Sequence, residues 1–174
     1  MTEPGAGEWL TRGTVWLALT LYVASEIIPA AKGRPRLAGR WLNTLGCAAL
    51  LAHVAFAFNF YHHWSHTEAH AETARQTGEL FGWYWGGGLY FNYIFALVWL
   101  GEVTWTWANP AGFLERPKWI TNAIRCFFLF MILNGAVVFP RGLARWFGLA
   151  LCLLLTGCWW PRRTATSRGQ PKST

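Results

Sequence analysis

The sequence predicts an all-α protein, an integral membrane helical bundle of about five transmembrane helices. Three observations support this fold class. Hydrophobic residues make up 53% of the chain and charged residues only 13%, whereas charged residues form roughly 25% of soluble domains. Five apolar stretches each approach the ~20 residues that a helix needs to cross a bilayer. Trp and Tyr cluster at the ends of these stretches, as they do at membrane–water interfaces.

The five apolar stretches give the order of the predicted spans along the chain. They cover residues 14–31, 41–61, 83–107, 119–139 and 143–160. The last one is the weakest, because it is short and has Arg145 near its start. A bundle of four spans, with the fifth stretch lying in the membrane interface, is therefore the alternative.

The connecting segments predict the orientation of the bundle. Segment 32–40 holds four basic residues and no acid, segment 108–118 and the tail 161–174 are also basic, and segment 62–82 has three Glu and one Arg. Because cytoplasmic loops are enriched in Lys and Arg, we expect the N-terminal segment 1–13 and the histidine-rich segment 62–82 to face outward. The basic tail should be disordered and cytoplasmic. The net charge of +7 is thus assigned to membrane topology rather than to nucleic acid.

Four histidines follow the second span, whose helix is predicted to extend beyond the membrane to about residue 77. On such a helix the four imidazoles share an arc of about 100°. Their i,i+3 and i,i+4 spacings let two imidazoles reach one metal ion, for which zinc, copper or iron is the expected cofactor. The alternative is a polar interfacial helix whose histidines pair with carboxylates and lipid headgroups. The predicted metal ligands are His62, His63, His66 and His70.

Three ionisable residues lie inside predicted spans near their cytoplasmic ends, namely Glu26, Glu102 and Arg125. Charged groups are costly in hydrocarbon and usually face a partner within the bundle. Arg125 is therefore expected to pair with Glu102 or Glu26, which leaves one carboxylate spare. The set is either a structural ion pair or part of a proton or substrate site, which His53 at mid-depth would extend.

Glycines recur at every fourth position from Gly78 through Gly82 to Gly86, and two more follow directly. Small residues at this spacing allow helices to approach closely in a membrane. Alternatively, the free backbone and the neighbouring aromatic residues form the floor of an outward-facing pocket. The residues of this predicted outer pocket are Trp83, Tyr84, Trp85, Gly86, Gly87, Gly88 and Asn92.

One pattern within this region resembles a known group of sequences. It consists of His63-Trp64-Ser65-His66, then Thr73-Ala74-x-x-Thr77, then Gly82-x-x-Trp85-Gly86-Gly87-Gly88-x-Tyr90-x-Asn92-Tyr93. This pattern is similar to one found in a family of small uncharacterised bacterial polytopic membrane proteins. The resemblance covers about a third of the chain and implies a location in the bacterial inner membrane, without implying an activity.

Three functions are consistent with these features. The first is a multi-pass membrane protein whose histidine metal site serves metal handling or redox chemistry. The second is a non-enzymatic accessory or anchor subunit of a larger membrane complex, or a homo-oligomer. The third is a small transporter that uses the charged groups within the spans. No nucleophile–base pair or phosphate-binding loop is visible in the sequence, so an enzymatic function would depend on the metal.

Overall fold

The computed structural model of the chain describes residues 5–28 and 37–159, and every regular element in this part is a helix. The predicted all-α class is therefore confirmed there. Lys32, Arg34 and Arg36 of the predicted basic segment 32–40, and the predicted tail 161–174, lie outside the described residues. In chain order the helices are α1 (Ala6–Ile27), α2 (Leu37–Tyr61), α3 (His66–Phe81), α4 (Gly88–Ala108), α5 (Pro110–Glu115), α6 (Lys118–Leu133) and α7 (Leu143–Trp159).

Five long helices form a closed ring. Helix α1 packs against α2 and α7, α2 against α4, α4 against α6, and α6 against α7. Each of them covers one of the five predicted apolar stretches, although α1 already begins at Ala6, within the segment predicted to precede the first span. The two remaining helices, α3 and α5, lie at opposite ends of the ring. We call the end with α3 the histidine end and the end with α5 the basic end.

Aromatic side chains fill the centre of the ring. Trp99 of α4 is completely buried, and its ring centroid lies 5.2 Å from that of Tyr22 on α1 and 5.6 Å from that of Phe128 on α6. Phe95 lies one turn before Trp99, and its ring centroid is 4.8 Å from that of Phe128. Edge-to-face and tilted contacts of this kind stabilise aromatic pairs beyond their burial, so this cluster joins three of the five helices.

The outer surface of the ring is also apolar. Large hydrophobic side chains point away from the core on several helices, as Leu17, Leu51, Leu97 and Leu153 do. By length and composition, two helices of the described part could cross a bilayer. These are Leu37–Tyr61 and the continuous helical stretch Lys118–Val138, whereas α7 is apolar but shorter.

The second helix does not continue to residue 77, and that prediction was wrong. Helix α2 ends at Tyr61, His63 and Trp64 adopt left-handed backbone conformations (φ 47° and 59°), and a separate helix begins at His66. The reason is Ser65, whose side chain accepts a hydrogen bond of 3.2 Å from the backbone N–H of Glu68. A serine three residues before a glutamate is typical of a helix start, so the histidine-rich segment is divided by a turn.

A wide helical turn extends α6 before the chain reverses into α7. Residues Asn134–Val138 form this π-helical turn. Helix α7 then passes so close to it that a Cβ atom at Gly148 would overlap the carbonyl oxygen of Ala136. Only glycine lets the two backbones approach in this way.

Candidate functional site

A polar cavity of about 200 Å³ lies inside the basic end of the ring. Helices α1, α2, α4 and α6 form its sides, and α5 with the residue after it covers it from that end. We call this cavity the charged pocket. Its polar lining residues are Tyr22, Glu26, Asn43, Glu102, Arg116, Thr121 and Arg125.

The first ion pair of the charged pocket joins Arg116 to Glu102. Arg116 donates to Glu102 Oε1 and, through Nε, to Thr121 Oγ1 at 2.9 Å. Only 8% of the Arg116 side chain and 12% of the Glu102 side chain are exposed. The guanidinium also lies 4.2 Å from the ring centroid of Phe113 on α5. A charge-assisted hydrogen bond at this depth fixes both groups.

Helix α5 brings Arg116 into the pocket. Asn109 caps this helix by accepting a hydrogen bond of 2.9 Å from the Gly112 N–H, and Pro110 occupies its first turn. Both residues favour a helix start at this point. Helix α5 reverses the chain after α4. Arg116, the residue that follows α5, therefore lies over the interior of the ring.

The second ion pair joins Arg125 of α6 to Glu26 of α1. Arg125 Nη2 lies 3.3 Å from Glu26 Oε2, and the same oxygen accepts a shorter hydrogen bond of 2.6 Å from Trp159 Nε1 on α7. Arg125 also lies 5.2 Å from the centroid of the Trp159 ring. The side chains are 37% and 25% exposed, so this pair is looser and more open than the first.

Two further polar side chains line the charged pocket. Asn43 Oδ1 accepts a hydrogen bond of 2.8 Å from Trp99 Nε1, which ties α2 to α4. Tyr22 is only 6% exposed, and within residues 5–28 and 37–159 its hydroxyl has no hydrogen-bond partner. Arg40 Nε is the one fully enclosed side-chain polar atom without a partner in this part of the chain. The Tyr22 hydroxyl instead belongs to a residue that lines the cavity, where it can bond to a solute.

The structure shows the partner of each ionisable residue that was predicted to lie within a span. Of the two alternatives for Arg125, the partner is Glu26. Glu102 is not spare, because it binds Arg116, which the sequence had suggested was only a topology signal. His53 does not line the pocket. Its Nδ1 lies 2.8 Å from the backbone carbonyl oxygen of Thr11, so it links α1 to α2.

Several residues that line the pocket, and Trp159, which bonds to Glu26 beside it, were not predicted from the sequence. Asn43 could have been found, because an amide inside an apolar helix usually bonds to a neighbouring helix. Tyr22, Trp99 and Trp159 could not, since the chain has many interfacial aromatic residues that look the same. Arg116 gives no local signal, because its burial depends on the direction in which α5 turns the chain.

The four histidines make different contacts at the histidine end. His66 and His70 lie one turn apart on α3 with ring centroids 6.5 Å apart, and His66 Nδ1 lies 3.0 Å from the Tyr93 hydroxyl. His63 instead lies 3.3 Å from Glu68, and His62 packs against an aromatic ring of α2. Across the described residues, no three His, Cys, Asp or Glu side chains are arranged to hold one metal ion.

The predicted outer pocket has exposed aromatic side chains. Trp83, Tyr84 and Trp85 are exposed, and the two Trp rings stack with centroids 5.8 Å apart. The glycines serve close packing between α3 and the start of α4. Tyr84 lies against Gly78, Gly86 lies against the His70 ring, and Gly88 lies against Thr73. Asn92 is exposed on α4.

Comparison with known proteins adds no assignment to this geometry. The chain matches no protein-family model, no curated protein and no solved structure. Its function is therefore inferred from the residues of the charged pocket.

Proposed function

We propose that this chain is a five-span protein of the bacterial inner membrane that binds a small polar solute in the charged pocket. The observation that supports binding is the cavity itself, which lies between two ion pairs and is lined by Tyr22, whose hydroxyl makes no hydrogen bond to another residue of 5–28 or 37–159. The basic end, and with it the pocket, faces the cytoplasm in this proposal.

The distribution of side chains supports five spans. Leucines face outward from the ring while the ion pairs face inward, which suits lipid outside and polar groups only within the bundle. Helices α1 and α4 have 22 and 21 residues, or about 32 Å of helix, and the hydrocarbon core is ~30 Å thick. Helix α7 has 17 residues, and a span this short is accommodated by local thinning of the bilayer.

The chemistry of the pocket supports binding. A buried ion pair is a weak source of stability, because removing two charges from water offsets most of their attraction. The buried Arg116–Glu102 pair and the more open Arg125–Glu26 pair lie beside a cavity with aromatic walls. A ligand explains this arrangement better, since binding sites combine apolar walls with a few convergent polar groups. The third function predicted from the sequence, a small transporter, would use such a site.

A variant with a narrowed charged pocket tests this proposal. Purified protein in detergent is heated with a panel of small anions, cations, zwitterions and sugars, and the melting temperature is recorded. Leu114→Trp places a larger side chain at the pocket wall, whereas Leu143→Trp makes the same change at an exposed site on α7. We expect at least one solute to raise the melting temperature of the wild type and of Leu143→Trp, but not of Leu114→Trp. No shift with any solute, or equal shifts in both variants, would contradict binding in the pocket.

A transition metal at the histidine end is the second candidate function. The hydrogen bond between His66 Nδ1 and Tyr93 favours it, because such bonds orient imidazoles whose other nitrogen binds a metal. His66 and His70 would supply two ligands, and water or a second chain the others. Elemental analysis should find zinc, copper or iron in the wild type and in His63→Ala but not in His66→Ala/His70→Ala. Metal-free wild type, purified without chelators, would contradict this candidate.

A further inference from the structure

We propose that the solute is a small zwitterion, with a carboxylate and an ammonium group a few bonds apart, as in an amino acid. This inference rests on the proposed function of the charged pocket. It assigns the carboxylate to Arg125 and Tyr22, and the ammonium group to Glu102 and the aromatic wall.

The balance of charge in the pocket favours a ligand of both signs. The lining has two guanidinium groups, of Arg116 and Arg125, and two carboxylates, of Glu26 and Glu102. In a region of low dielectric constant, a net charge that is not compensated is costly. A zwitterion leaves the total charge unchanged, whereas a simple anion or cation adds one uncompensated charge.

Arg125 is the cation best placed to bind the ligand carboxylate. Its contact with Glu26 is 3.3 Å long, while Arg116 is held by both Glu102 and Thr121. Glu26 also keeps the 2.6 Å hydrogen bond from Trp159 when Arg125 moves to a ligand. The looser pair can therefore open without leaving the Glu26 carboxylate unpaired. The hydroxyl of Tyr22, which lines the same cavity, supplies a second donor to that carboxylate.

Glu102 and the aromatic residues suit the ammonium group. Within the described residues the Glu102 carboxylate accepts one hydrogen bond, through Oε1, which leaves Oε2 for a ligand. Trp99, Phe113 and Phe128 also line the cavity, and an ammonium group is attracted to the face of an aromatic ring. Both ligand charges thus have partners on the walls of one cavity.

The volume limits the size of the zwitterion. Sites for drug-sized ligands measure ~300–1,000 Å³, and the charged pocket measures about 200 Å³. The ligand must therefore be smaller than a typical drug molecule, which admits a free amino acid or a betaine and excludes a nucleotide.

Matched probes that differ only in charge test the inference. Alanine, propionate and ethylamine form one set, and leucine, 4-methylpentanoate and 3-methylbutylamine form a larger one. Binding is measured by calorimetry on the full chain in detergent. We expect a zwitterion from at least one set to bind, with its matched anion and amine at least tenfold weaker. Tyr22→Phe should weaken that binding by about 10–100-fold, the loss expected for a hydrogen bond to a charged group.

The variants separate this inference from the proposed function. Arg125→Gln should abolish zwitterion binding, while Arg12→Gln, an exposed arginine of α1, should leave it unchanged. If Arg125→Gln does not fold, the loss of zwitterion affinity in Tyr22→Phe still tests the inference. Equal or tighter binding of an anion or amine would overturn the zwitterion but keep a solute-binding pocket. If only an uncharged solute of the wider panel binds, the zwitterion fails and the pocket stands. If no solute of any kind binds, both proposals fail.

Discussion

At the scale of single residues, the ion pair between Arg116 and Glu102 shows how strongly context determines the effect of a charge. Both side chains are almost fully buried. Removing one partner of such a pair leaves a buried charge without compensation, which costs ~3–5 kcal/mol, whereas removing both costs much less. The Glu8–Arg12 pair of α1 has side chains 32% and 71% exposed, and an exposed pair contributes at most ~1 kcal/mol.

The first prediction concerns these two pairs. Glu102→Gln should lower the free energy of unfolding by ~3–5 kcal/mol, and Glu102→Gln/Arg116→Gln should recover part of that loss. Denaturant titration in mixed micelles measures each value. Arg12→Gln is the control and should cost at most ~1 kcal/mol. If Glu102→Gln lowers the free energy of unfolding by as little as the control does, the buried pair is not formed.

The second prediction concerns the contact of Gly148 with Ala136. Gly148→Ala introduces a methyl group where α7 touches the carbonyl oxygen of Ala136, and overpacking of this kind costs roughly 1–3 kcal/mol. Gly157→Ala on the same helix meets open space and should be neutral or slightly stabilising, because alanine favours helix. The same unfolding assay compares them. Equal stabilities would exclude the close approach of the two backbones.

At the scale of elements, α3 is only weakly attached to the ring of five helices. It makes its contacts mainly with the start of α4, and two local features define its ends. Ser65 caps its start, and Gly82, whose φ of 77° is left-handed, ends it while its N–H still donates to the Gly78 carbonyl oxygen at 2.9 Å. Because few tertiary contacts support α3, these local features should dominate its stability.

The third prediction follows from the Ser65 cap. Ser65→Ala should weaken α3 by ~0.5–2 kcal/mol, seen as faster amide hydrogen exchange between residues 66 and 81. Exchange in α4 and α6 should not change, since the ring does not depend on this cap. Ser65→Asp keeps an acceptor at the same position and should preserve the protection. Unchanged exchange in Ser65→Ala would indicate that tertiary contacts, and not the cap, hold the helix start.

The fourth prediction concerns the acid sensitivity of α3. The hydrogen bonds from Arg75, at 2.8 and 2.6 Å, hold the pKa of the Glu72 carboxyl below its ordinary value. Because the folded-state pKa is the lower one, this stabilisation is complete above the ordinary value near 4.5 and is lost as the pH falls through the folded value. Amide exchange in α3 should therefore accelerate in acid.

A variant of Glu72 isolates this effect. In Glu72→Gln, α3 should lose most of its acid sensitivity, and Glu115→Gln at the basic end should leave that sensitivity intact. Titration of the side-chain carboxyl carbon by nuclear magnetic resonance should also place the pKa of Glu72 below its ordinary value of 4.5. A titration midpoint of Glu72 at or above 4.5 would contradict the hydrogen bond from Arg75.

Sequence patterns predicted the helices better than they predicted the junctions between them. Apolar stretches define the five long helices because each must cover a continuous apolar surface. The end of α2 was missed because the predicted helical arc of histidines outweighed the start signal of Ser65-x-x-Glu68. Arg116 was missed for a different reason. Its partner Glu102 lies on the preceding helix, and no local pattern states how α5 folds back.

At the scale of the whole molecule, the proposed membrane orientation gives the fifth prediction. Ala71 on α3 and Glu115 on α5 are exposed at opposite ends of the ring. In intact cells, a membrane-impermeant maleimide should label Ala71→Cys well above the wild-type background of native cysteines. Glu115→Cys should be labelled only after the membrane is permeabilised. The reverse pattern would invert the orientation, and labelling of both sites in intact cells would show that α4, the long helix between them, does not cross the membrane.

The odd number of helices in the ring has a consequence for a duplication of this chain. Helix α1 begins at the histidine end and α7, its neighbour, finishes at the basic end. If each helix spans the membrane once, a tandem duplication joined by a short linker would start its second copy on the opposite side. The second copy would then be upside down relative to the first. Fusion of two such bundles would create in one step the inverted repeat on which many secondary transporters are built.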